Sequence, residues 1–207
     1  MTKERYGKLI AGLIGAWFTF SLVASALHVF STHPNRPPLP LGLAVLIPLA
    51  VFTLWFASSE NFRQFVHSLN PRTLTLLQSW RIAGYAFLVL YAYGILPGIF
   101  ALPAGWGDIF IGATAPLIAL GFTGTNHRKG HILWQVLGIT DLVTAVTLGT
   151  TARLVSPQAA ATSAMTVLPL SLIPTFGVPL FLIFHIICIA QARRWNENPR
   201  FAEQLSV

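Results

Sequence analysis

Charge is what this sequence has least of. Only 9% of its 207 residues are Asp, Glu, Lys or Arg, while 54% are hydrophobic. Soluble domains carry about 25% charged residues, so a water-soluble fold of this size would lack the charges to cover its surface. Lipid is the expected solvent over much of it. Acidic residues are scarcer than basic ones, 6 against 13, for a net charge of +7. The excess does not point to nucleic acid. The basic residues fall in short clusters between apolar segments, as membrane topology signals do, with no basic stripe interleaved with aromatics. No nucleic-acid partner is expected.

Other absences narrow the chemistry. The one cysteine, Cys188, rules out an internal disulfide and a cysteine-based metal cluster. Inside an apolar segment it reads as a small buried side chain. The sequence has no phosphate-binding glycine-lysine motif, no zinc-protease histidine pair with glutamate, and no glycine-flanked nucleophilic serine. No lysine lies within an apolar segment, which disfavours a retinal Schiff base. No catalytic residue is assigned.

What is present is long apolar runs. A membrane-crossing helix needs ~20 mostly apolar residues, and six segments qualify, at 9–30, 39–57, 74–95, 106–122, 132–150 and 165–190. Backbone polar groups in lipid must be satisfied internally, which makes helices the default; none of the runs alternates like a barrel strand. The expected fold is all-α: one integral membrane domain over 1–207, a six-helix bundle with a tail at 193–207. Lys3, Arg5 and Lys8 before the first run, and Ala24-Ser25-Ala26 within it, resemble a cleaved signal. The run is long enough to be a retained first span, and is so read.

Loop charges orient the bundle. With the N-terminus inside, the cytoplasmic segments hold Lys3, Arg5, Lys8, Arg63, Arg72, Arg128, Lys129, Arg193, Arg194 and Arg200, and the external ones only Arg36 and Arg153. That asymmetry predicts cytoplasmic ends and a multi-pass protein of the cell membrane. In the first cytoplasmic loop, Phe62, Phe65, Val66 and Leu69 recur at helical spacing, which predicts a short helix lying in the interface. Asn70-Pro71 reads as a cap followed by proline at the first helical position. The run from Gly94 to Asp108 is too rich in glycine and proline for an expected helix. It reads as an external hairpin sunk among its neighbours. Pro169, Pro174 and Pro179 make the last span irregular: a kinked packing helix is favoured over a broken one whose freed carbonyls, partly satisfied by Ser171 and Thr175, build a site.

Ionisable groups inside spans are costly and mark candidate sites. Arg81 lies ~10 Å below the cytoplasmic edge at 1.5 Å per residue, His185 at similar depth, and Asp141 ~5 Å deeper. A shared cluster is therefore expected, with Gln78 and Tyr85 on the Arg81 face at helical spacing. Thr140, Asp141, Thr144, Thr147 and Thr151 form a polar stripe on one face of the fifth span, expected to face other helices or water. It lines a path or glues helices together. The ligand-binding or proton-handling candidates are Gln78, Arg81, Tyr85, Asp141, Thr144 and His185. His28 and Asp108 are outer-face candidates, Asp108 as a helix-start carboxylate suited to the helix dipole.

No cofactor is expected, with haem retained only as a minor alternative. His28 and His185 lie at opposite depths and would not share one iron, and Gly130 interrupts the spacing of His127 and His131. No metal is expected. The bilayer and an unidentified small ligand are the expected partners, with a homo-oligomer or a larger membrane complex left open. The favoured function is a small-solute or proton-coupled transporter with a polar intramembrane site. The alternatives are a membrane enzyme or haem redox protein acting on a lipid-soluble substrate, and a structural or accessory subunit.

Overall fold

A computed structural model describes residues 3–31, 39–155 and 163–195. Arg36, Arg200 and the tail beyond Trp195 lie outside the described residues. The described residues are helical, with no strand among them. Five helices are long and apolar enough to cross a membrane.

Helix α1 (Lys3–Ala26) begins with an exposed Glu4–Lys8 pair. It ends in a Schellman turn, in which His28 takes a left-handed φ of 57°. Its N–H bonds the Ser25 carbonyl and that of Val29 the Ala24 carbonyl, each an orphan of the last turn. Helix α2 (Leu39–Ser58) leads directly into the short α3 (Glu60–His67), where the Ser59 hydroxyl caps the new start by accepting from the Phe62 N–H. The short helix expected in this loop is present, and its apolar stripe faces the bundle. Phe62 and Val66 are buried in a cluster with Tyr6, Phe52, Leu74, Ile187 and Cys188, because the helix folds back onto α1, α2 and the last helix. The Gln191 amide secures it by donating to the Val66 and Leu69 carbonyls at 2.9 and 2.8 Å.

The third apolar segment is three pieces in series. Helix α4 (Pro71–Leu77) starts as its sequence predicts, with Asn70 Oδ1 accepting from the Arg72 N–H and proline at the first position. It tightens into a 3-10 stretch, Gln78–Gly84, and resumes as α5 (Tyr85–Ala92). No helix here reaches the length of the five candidates, so the third segment is not counted among them.

Helix α6 (Gly98–Gly121) corrects the boundary expected at 106. The glycine- and proline-rich stretch is helical from Gly98, with Pro97 as N-cap. Leu96, Phe100, Ala101 and Ala104 are buried with Phe87 and Met165. An apolar stretch in this setting gains more by bonding its own carbonyls in a helix than by leaving them bare in a loop. Helix α7 (Arg128–Val155) follows a tight connection. The last segment is irregular, as its prolines predict: a π-helical turn (Ile173–Gly177) precedes α8 (Val178–Arg194). Pro179 cannot donate to the Thr175 carbonyl. That carbonyl instead accepts from Trp17 Nε1 at 3.1 Å and Ser21 Oγ at 3.3 Å, so α1 caps the break.

Candidate functional site

The site starts from the 3-10 stretch. At 3.0 residues per turn, every third residue shares a face, and Gln78, Arg81 and Gly84 are all buried. Gln78 donates to the Phe181 carbonyl of α8 at 3.2 Å. Tyr85 would follow Arg81 by one turn of an α-helix. In the tighter helix it rotates away and is 60% exposed, so it does not join the site.

Arg81 is 3% exposed and ties three helices together. Its Nε donates to Asp108 Oδ1 of α6 at 2.7 Å, its Nη2 to Asp141 Oδ2 of α7, and its Nη1 to the Gly138 carbonyl at 3.3 Å and to His185 Nε2 of α8 at 3.2 Å. Arg81, Asp141 and His185 thus meet, and Asp108 joins them. Asp108 is not near a helix start. Because α6 begins at Gly98, Asp108 sits in its third turn, beyond the first-turn range of the helix dipole.

A second polar chain continues from His185. Since Arg81 donates to Nε2, the imidazole carries its proton on Nδ1 and donates to Gln135 Oε1 at 2.5 Å. The Gln135 amide nitrogen donates to Thr75 Oγ1 at 3.2 Å and to His131 Nε2 at 3.1 Å. His131 is fully buried in α7 against Trp195, whereas His127 is exposed. The two histidines therefore share no common surface. His67, in α3, is separate from this chain. Burial holds its imidazole pKa below the ordinary value, with Arg194 and Arg63 adding to the effect.

Glycines make the close approach of these groups geometrically feasible. A Cβ at Gly138 would overlap the His185 ring, one at Gly107 the Asp141 carboxylate, and one at Gly84 the Asp108 side chain. Gly112 lies against the backbone of Arg81 and Ile82. In α6, Gly98, Ala101, Gly105, Asp108, Gly112, Ala115 and Ala119 alternate by three and four residues, the seam of a closely packed helix pair. The seam was a readable signal for Asp108: an acid on a small-residue stripe faces a neighbouring helix. Gln135 and Thr75 are uncharged and carry no signal of their own, and His131 stands out in the sequence only for its spacing from His127.

The remaining candidates lie elsewhere. Thr140, Thr144 and Thr147 are exposed. Thr140, Thr147 and Thr151 donate to carbonyls of their own helix at 2.9, 2.8 and 2.6 Å, which lets threonine face an apolar surround. The stripe therefore points outward, and Thr144 is not part of the cluster. His28 is exposed in the turn after α1. Among the described residues, no three His, Cys, Asp or Glu side chains group as metal ligands.

A cavity of about 260 Å³ adjoins the cluster. Its α7 wall runs from Leu142 to Thr150, about 12 Å at 1.5 Å per residue. Arg81 grips α7 at Gly138 and Asp141, just before that wall begins, so the charged pair closes one end. The other walls come from α2, the 3-10 stretch, α5, α6, residues 165–166, the π-helical turn and the start of α8. Among the described residues, Arg81 and Asp108 are its only charged lining residues; the rest is almost entirely apolar, including Trp80, Phe87, Phe100, Phe176 and Phe181.

A protein-family model described as Domain of unknown function (DUF8737) matches residues 36–193, a stretch that contains the whole cluster and the cavity. No curated protein and no solved structure matches the chain.

Proposed function

We propose that this chain, which belongs to the DUF8737 family, is a proton-coupled carrier of a small, mostly apolar solute in a cell membrane. The observation that carries this reading is the meeting of an apolar cavity with a buried cluster in which two carboxylates share one guanidinium. One positive charge balances only one of the two negative charges. In a low-dielectric setting an unbalanced charge is expensive, so the cluster calls for a proton or a positively charged group from a ligand. A site that accepts either in turn couples the two.

The same reading includes six crossings with both ends cytoplasmic. The third segment supports a sixth crossing despite its 3-10 interruption. From Pro71 to Ala92, residues rising ~1.5 Å in α-helix and ~2.0 Å in 3-10 helix reach about 36 Å, enough for a hydrocarbon core of ~30 Å. The ten-to-two distribution of basic residues supports the orientation. Labelling of cysteines introduced at each end, from outside intact cells, tests it: labelling of either end overturns the topology.

One observation favours a second reading, an accessory subunit locked by its polar core: every nitrogen of Arg81 is already bonded within the chain. Reconstituted vesicles separate the two. They are loaded with a pH-sensitive dye and challenged in turn with an amphipathic amine, alcohol and carboxylate. Solute-driven proton flux that disappears in Asp108→Asn supports the carrier. Absence of flux with all three solutes, or flux unchanged in the variant, overturns it.

A further inference from the structure

The cavity's chemistry narrows the solute. Arg81 is poorly placed to recruit an anion. Its side chain is 1% exposed, and Nε, Nη1 and Nη2 are each engaged by a group of this chain. Asp108 differs. Its side chain is 14% exposed and lines the cavity. Arg81 occupies Oδ1, while Oδ2 accepts no hydrogen bond among the described residues. Oδ2 lies where Gly84 has no side chain, 2.8 Å from the position a Cβ would take. A free carboxylate oxygen at the end of an apolar chamber is an acceptor without a donor.

Charge and wall composition agree on the donor. The cluster carries one more carboxylate than guanidinium, which repels an anionic head group and attracts a cationic one. Five aromatic rings line the chamber: Trp80, Phe87, Phe100, Phe176 and Phe181. Their faces favour a cation beside an apolar body. A neutral alcohol would satisfy Oδ2 and leave the charge; a carboxylate would do neither.

We propose that the cavity binds a small lipophilic amine as its ammonium ion, with Asp108 Oδ2 as the counter-ion and the aromatic walls holding the apolar body. The inference rests on the carrier reading and names its substrate class. Binding forms an N⁺–H···Oδ2 hydrogen bond and needs no covalent step.

The test is direct binding to the full chain in lipid nanodiscs. Phenethylamine, phenethyl alcohol and phenylacetate share one apolar body and differ in the head group. We expect the amine to bind at least about tenfold more tightly than either analogue, a difference of ~1.4 kcal/mol. Asp108→Asn should erase that preference. Gly42→Leu provides a variant outside the cluster: Gly42 lines the cavity, and a Cβ there meets nothing within 4 Å. The larger side chain should fill the chamber and abolish binding while Arg81 keeps its partners. Equal binding of all three compounds, a preference for phenylacetate, or amine binding undisturbed by Gly42→Leu would overturn the proposal. Amine binding without transport in vesicles would leave the ligand class standing and remove the carrier reading. Transport of another solute class without amine binding would do the reverse.

Discussion

The two polar faces of α7 behave in opposite ways. One carries Thr140, Thr144, Thr147 and Thr151; the other carries His131, Gln135, Gly138 and Asp141. The threonine face is richer in polar side chains, yet three of its hydroxyls bond only their own helix. On the second face, Gln135 joins His185, His131 and Thr75, and Asp141 holds Arg81. A hydroxyl satisfies itself one turn back and tolerates an apolar surround. A helix interior offers no free N–H, so a carboxylate or an amide oxygen must find its donor on another side chain, here His185 for Gln135 and Arg81 for Asp141. Polarity along a membrane helix therefore marks a site only where the group cannot satisfy itself locally.

The largest effect we expect from breaking this contrast is at Arg81. Arg81→Ala leaves the largely buried Asp108 and Asp141 with no cation between them, at a cost of about 3 kcal/mol, the low end for a broken ion pair because both carboxylates keep some exposure. Chemical unfolding in mild detergent would measure it, and a loss below ~1 kcal/mol would mean the cluster is not held as described.

A smaller loss is expected at Gly138. Gly138→Ala drives a methyl group into the His185 ring, and overpacking of this kind costs about 1–3 kcal/mol. The conservative control is Gly121→Ala, where a Cβ meets nothing within 4 Å; it should be close to neutral. Equal stability of the two variants would show that His185 does not pack against Gly138.

The smallest effect belongs to the threonine face. Thr144→Val should change stability by no more than ~0.5 kcal/mol, as expected of an exposed substitution. A loss above ~1 kcal/mol would show that this face has a partner after all.

Legibility in the sequence followed the same division. Arg81, Asp141 and His185 were found because charge in an apolar run is rare and depth can be estimated from helical rise. Tyr85 was misplaced because the 3-10 stretch changes the period from 3.6 to 3.0, and nothing in Gln78–Gly84 announces that change. Asp108 was placed at the outer end because proline and glycine from Gly94 to Gly107 read as a loop. Proline at a helix start is favourable, and Pro97 together with the small-residue seam would have extended α6 backwards. Helical class was readable from the length of the apolar runs. The pairing of helices was not, because it depends on which small faces meet.

The excess carboxylate is the centre of the functional reading, and proton release on binding tests it most directly. Phenethylamine is added to the protein in weakly buffered nanodiscs containing a pH indicator, below the pKa of the free amine, so that the ligand arrives already charged. We expect about one proton released per amine bound, as linkage requires when a cation replaces a proton on the cluster, and none in Asp108→Asn. Saturable amine binding with no proton released would contradict the coupling, and with it the proposal that the Arg81 cluster exchanges protons for solute.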